Sequence, residues 1–147
     1  MLVIAVLLGA AVPSLRGFAQ GRSDADAAAS VLAMTRMAQD LAATMGTVSR
    51  LNFDFATNTY WVTIQQAGTF VELQTDMGRH FVLPTGMGVR LELPPGQDQR
   101  PYLQFLPDGR TEQAMISLIN RDGEAYRVYC PSATERFRII KPWEPQP

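Results

Sequence analysis

Few side chains in this sequence of 147 residues could do chemistry. It has one histidine, His80, and one cysteine, Cys130. Asp76 precedes His80 by four residues, which on a helix would put both on one face. Met77-Gly78 argues against a helix there, and no motif ties a serine or cysteine nucleophile to the pair. His80 therefore reads as a solvated loop residue. A Cys/His zinc site takes about four such ligands, more than this chain has. A lone cysteine forms no internal disulfide, and Cys130, in an apolar run beside Pro131, reads as a core residue. The segment from Gly78-Arg79 to Gly86-Met87-Gly88 is no phosphate loop, because no Lys-Ser/Thr pair follows its glycines. Arg121, Arg127, Arg136, Arg138 and Lys141 make the last third locally basic. They read first as a solvated strand face, with Arg127, Arg136 and Arg138 as the candidate basic face if nucleic acid is bound. A net charge of -1, from Lys+Arg 13 against Asp+Glu 14, gives no global attraction to nucleic acid, which is not an expected partner. No catalytic set, metal site or cofactor is expected. The balance favours a binding, structural or assembly protein over an enzyme.

The elements that must carry these residues divide the chain. Met1 to Val12, MLVIAVLLGAAV, is apolar and uncharged. It is shorter than the roughly 20 residues of a membrane span and lacks the basic start of a signal peptide. The competing readings are a membrane anchor, which is favoured, a buried core helix and a cleaved signal. No proline follows Pro13 until well past Met45, and alanine, the best helix former, dominates. Val31, Met34, Ala38, Leu41 and Met45 recur at spacings of three and four, so they are the expected helix–sheet core. Asp24, Asp26, Arg36 and Asp40 fall largely off that stripe, and Met34, Met37 and Met45 read as core methionines. Gly46 is the expected helix stop. The result is one long helix: residues 1–22 the hydrophobic anchor half, residues 23–46 the amphipathic half, with a mild kink at Pro13.

Beyond Gly46 the period becomes alternating. Leu51, Phe53 and Phe55 share a face, Ala56 to Thr59 forms a turn, and Tyr60-Trp61-Val62-Thr63-Ile64 returns as the second strand of a hairpin. Thr69 to Gln74, Gly88 to Leu93, Tyr102 to Leu106, Ala114 to Ile119, Ala125 to Cys130 and Arg136 to Ile140 are further strands. Pro107-Asp108-Gly109 and Arg121-Asp122-Gly123 are turns. Residues 47–141 thus form an antiparallel β domain, and residues 142–147, with three prolines in the closing heptad from Lys141, an extended or disordered tail. The amphipathic helix has only the antiparallel sheet to cover, which predicts an α+β fold with the helix on one sheet face.

Four segments in this order carry a resemblance: Met1 to Leu15 (MLVIAVLLGAAVPSL), Val48 to Val62 (VSRLNFDFATNTYWV), Phe105 to Ile119 (FLPDGRTEQAMISLI) and Thr134 to Ile140 (TERFRII). Together they resemble the type IV pilin-like family, and within it the minor pseudopilins of type II secretion of the H kind, grouped with the FimT minor pilins. The resemblance implies a single-pass bacterial inner-membrane protein with its β domain in the periplasm. Its partners would be other pseudopilins or pilins of the same filament. Gly9, Ala10, Ala11 and Pro13 would lie on the membrane helix, the small residues allowing close helix packing. The family's basic leader, glycine cleavage site, N-terminal phenylalanine and fifth-position glutamate do not precede Met1. The expectation is that the true start lies upstream, in which case prepilin peptidase is a further partner; a divergent copy is the alternative. The runner-up is a FimT-like minor pilin of a type IV pilus or competence system, touching DNA through the arginines. That branch often carries a cysteine pair, so the single Cys130 leans towards secretion.

Overall fold

A computed structural model describes residues 2–96 and 100–147, with helix side chains described from Arg22 onward. The only α-helix among the described residues is α1, Leu2–Met45. It ends as the sequence dictates: Gly46 takes φ 63°, and the Thr47 N–H returns to the Ala42 carbonyl at 3.2 Å, which satisfies a carbonyl of the last turn. Gly9, Ala10, Ala11 and Pro13 lie outside the residues whose side chains are described, and so do the packing and kink expected there.

Nine strands follow among the described residues: β1 Ser49–Asp54, β2 Thr59–Gln66, β3 Thr69–Glu72, β4 Phe81–Val82, β5 Gly88–Glu92, β6 Tyr102–Phe105, β7 Ala114–Ile119, β8 Ala125–Cys130 and β9 Arg138–Ile140. They form two antiparallel sheets where one was expected. The first runs β3-β2-β1-β6, with β4 also on β2; the second runs β5-β7-β8-β9. Helix α1 touches β1, β2 and β6 of the first sheet and β8 and β9 of the second, so it lies between the two inner faces. Leu51, Val62, Leu103 and Phe105 point inward from one sheet, Ile116, Leu118, Val128 and Cys130 from the other, all fully buried. A single sheet could cover only one side of the stripe, and the second closes the remainder.

The phase of α1 differs from the expectation. The buried positions are Asp24, Ala27, Ala28, Val31, Met34, Thr35, Ala38 and Ala42. Val31, Met34 and Ala38 are in this set, Leu41 is only half-buried at its edge, and Met45 is 50% exposed. The cause is close backbone approach. After Gly46 the chain doubles back, and the Ser49 hydroxyl donates to the Ala38 carbonyl at 2.5 Å. Alanine at 38 and 42 leaves room for β1, so the stripe follows small residues and turns Leu41 aside. Asp24 is also buried, against expectation, and accepts a hydrogen bond from Asn120 Nδ2 at 3.0 Å, which ties the helix to the β7–β8 turn.

Phe55, expected inward beside Phe53, is exposed and stacks on Phe53 with ring centres 6.1 Å apart. The strand ends first, because Asp54 Oδ1 accepts from the Ala56 and Thr57 N–H groups and closes the turn. Two devices hold the first sheet from outside. The Arg50 guanidinium lies 3.6 Å from the Phe70 ring centre and 4.0 Å from that of Tyr102, which joins β3, β1 and β6. On β6, Glu112 Oε2 accepts the Gln104 N–H at 2.9 Å and Oε1 accepts from Arg100. Burial opposes the Arg100 charge, but the bond to Glu112 and its charge outweigh it and raise the guanidinium pKa.

Two measurements check this packing. Leu103→Ala removes a fully buried side chain and should destabilise by about 2–5 kcal/mol, whereas Leu41→Ala should destabilise by about 1 kcal/mol in urea unfolding. Equal losses would mean that α1 is wrongly phased. The buried Tyr60 phenol is pushed above its ordinary value by desolvation, offset in part by its hydrogen bond with Ser30. A raised folded-state pKa favours the protonated phenol, so this stability is complete below pH about 10 and is lost as pH rises through the folded value. Tyr60→Phe should flatten that alkaline loss in a pH series of unfolding midpoints.

Candidate assembly interface

The flank of α1 turned away from the two sheets holds an apolar groove of about 650 Å³, lined by Leu32, Ala33, Arg36, Met37, Leu41 and Met77 among others. Leu32, Met37 and Leu41 are half-buried there, their inner edges on the core and their outer edges open. Met77 comes from across the groove, on a 3-10 turn spanning Asp76–Gly78. That turn packs tightly because Gly78 is buried, and a Cβ there would collide with the Leu73 carbonyl. Arg36 and Asp40 stand at the rim, one turn apart. The surface is soft and apolar with a polar border, which suits another apolar helix or loop. Of the methionines expected in the core, Met34 is buried, Met37 lines the groove, and Met45 lies in solvent. Sequence periodicity did not find Met77, since its signal was only a methionine in a glycine-flanked turn.

The structure places Arg127 and Arg138 on the outer face of the second sheet. Arg127 Nη1 donates to Gln146 Oε1, and Arg138 lies over the Tyr129 ring at 5.9 Å. Arg136 is exposed in the segment before β9, outside the strand. The tail, expected to be extended or disordered, instead folds back onto this sheet. Gln146 Nε2 donates to the carbonyls of Lys141 and Glu144 at 3.3 and 2.6 Å, and Trp143 meets Tyr126 edge-on at 6.2 Å. Prolines stiffen the tail without preventing this return, because the Gln146 amide supplies the bonds they lack.

The other singled-out residues are distributed over the domain. His80 stacks on Trp61 with centroids 4.2 Å apart, and its Nε2 is 2.8 Å from Glu72 Oε1. Asp76 begins the 3-10 turn, and the chain is extended again at Arg79, so no helix face joins Asp76 to His80. Cys130 is fully buried, with the Ser132 and Glu135 carbonyls 3.0 and 3.2 Å from Sγ. Among the described residues no three His, Cys, Asp or Glu side chains gather where a metal could sit. Among them, too, no helix is long and apolar enough to cross a membrane; residues 1–12, on which the anchor reading rests, lie outside the described side chains.

A long N-terminal helix, held between antiparallel sheets along one stripe and open along the opposite flank, defines the α+β fold of pilin-like subunits. Among solved structures the chain is similar to the minor pseudopilin EpsH of the type II secretion system of Vibrio cholerae. The TM-score is 0.72 at 20% identity, over 85% of this chain and 98% of that one. It is also similar to the type IV minor pilin FimU of Pseudomonas aeruginosa, with TM-score 0.58 at 14% identity, over 84% of this chain and 91% of that one. At these identities the likeness is one of fold. No family model and no curated protein sequence matches the chain.

The folded tail gives a direct test. Arg127→Ala removes the donor that holds Gln146, so residues 142–147 should be trimmed faster by carboxypeptidase, with the unfolding midpoint of the domain unchanged. Equal trimming rates would mean that the Arg127–Gln146 contact does not hold the tail.

Proposed function

We propose that the chain is a minor pseudopilin subunit of a type II protein secretion system, acting in assembly of the periplasmic pseudopilus and not as an enzyme. The observation that carries this reading is the open apolar groove along α1 on a pilin-like fold. In a filament built by packing helices side by side, that flank is the one left for a neighbour. Residues 1–22 hold the subunit in the inner membrane, where Gly9, Ala10 and Ala11 permit close helix approach and Pro13 marks the turn towards the periplasmic half. The β domain sits in the periplasm. If the natural gene product begins upstream of Met1, prepilin peptidase processes it.

A second reading is a FimT-like minor pilin of a type IV pilus or competence system. It is favoured by Arg127 and Arg138 on one outer sheet face. Salt-dependent gel shifts separate the two, because binding to DNA through phosphates weakens steeply with salt.

The test uses the natural full-length gene in its own cells. Met77→Glu puts a charge into the groove at an exposed position, so folding should be kept within about 0.5 kcal/mol. Secretion of type II substrates should fall. Ala10 and Ala11 changed together to leucine should keep membrane fractionation and also lower secretion. Normal secretion in both variants, with loss of DNA uptake in an Arg127, Arg136, Arg138→Ala triple variant, would replace the secretion reading with the competence pilin.

A further inference from the structure

Large apolar side chains are exposed at the end of the domain from which α1 continues into its apolar first half. Val82 of β4 is 68% exposed, and with Phe81, Leu83 and Pro84 it adjoins Arg22, Ser23 and Asp26 of α1. Its register partner is Thr59, which also pairs with Asp54, and exposed Phe55 lies in the turn between those two. On the other side Asn120 bonds Asp24, and the same β7–β8 turn leads through Gly123 and Glu124 to the surface that carries Trp143. Trp143 is 71% exposed, although its ring edge is held by Tyr126. Val82 and Trp143 therefore flank α1 at the level of residues 22–26.

The charges at this end leave no positive excess. Arg22, Arg121 and Lys141 stand against Asp26, Asp122, Glu124 and Glu144, three against four, so nothing draws it selectively to an anionic surface. A tryptophan with an apolar body and one N–H donor belongs at a membrane–water boundary. The helical rise fits this. From Leu15, the last apolar residue before Arg16, to Arg22 is about 10 Å at 1.5 Å per residue. The headgroup layer on each side of a bilayer is roughly 5–8 Å thick. Arg22 then stands just outside that layer, with Val82 beside it.

We infer that this end of the domain rests on the headgroup layer of the bilayer that anchors α1, with Trp143 and Val82 as its interfacial side chains and uncharged (zwitterionic) phospholipid as the surface they meet. The inference rests on the anchor reading of residues 1–22 given under the proposed function. Contact on two sides of the helix fixes the tilt of the domain over the membrane, and with it the direction in which the α1 groove faces a neighbouring subunit.

The experiment uses the full chain carrying Trp61→Phe, so that Trp143 is the only tryptophan, reconstituted into phosphatidylcholine vesicles whose acyl chains are brominated close to the headgroup. The protein should float with the vesicles, and Trp143 emission should be blue-shifted and largely quenched relative to unbrominated vesicles. Added salt or admixed phosphatidylglycerol should leave the quenching unchanged. In the chain that keeps Trp61, Trp143→Phe should remove the quenched component, which covers any loss of folding from Trp61→Phe. Protein that does not float overturns the anchor reading and this contact with it. Protein that floats without quenching overturns the contact alone and leaves Trp143 to solvent or to a neighbouring subunit. Quenching only with phosphatidylglycerol present overturns the uncharged surface as the partner.

Discussion

The rest of the domain depends on the close approach of α1 and β1, where the buried Ser49 hydroxyl donates to the Ala38 carbonyl at 2.5 Å. A helix carbonyl is already engaged in its own ladder, so a second, buried donor is accepted only if the two backbones come very near. Ala38 and Ala42 permit that distance, and the glycine turn at Gly46 aims the chain back along the helix to reach it. With β1 fixed, β2 and β6 pair on either side, and the first sheet is placed. The larger side chains of α1 cannot share the contact. Leu32, Met37 and Leu41 are displaced to its flank, where they become the wall of a groove. One constraint thus produces both the core and the open groove.

At its other end the domain is held by a polar contact. Asp24 is buried with Asn120, so the second sheet is tied to the helix near the point where the domain begins. Between Asp24 and Ala42 the helix is gripped from two sides. Close-packed interiors yield little, which suits the assembly role proposed above.

The outer faces of the sheets are largely occupied by the protein itself. Arg50 is held between Phe70 and Tyr102, His80 lies flat on Trp61 with Glu72 at its Nε2, and Arg127 is engaged by Gln146. Of the groups singled out in the sequence, His80 and Arg127 thus hold a loop and the tail. The open apolar surfaces are the α1 groove and the end of the domain that carries Val82 and Trp143. The assembly and membrane contacts proposed above both draw on these surfaces.

The sequence by itself determined the existence of the long helix, its glycine stop, the alternating strands and their turns, because each depends on local propensity and period. β4, a pair of residues held only by β2, carried no such signal. The tertiary structure decided how the buried stripe of α1 continues past Val31, Met34 and Ala38. Hydrophobic spacing carries it on to the large residues Leu41 and Met45, whereas close backbone approach carries it to Ala42, and only the position of β1 shows which requirement prevails. It also decided that the strands divide between two sheets, that Asp24 is inside, and that the tail returns to Arg127. Each depends on a partner many residues away, Asn120 for Asp24 and Gln146 for Arg127, and no local pattern records such a pairing.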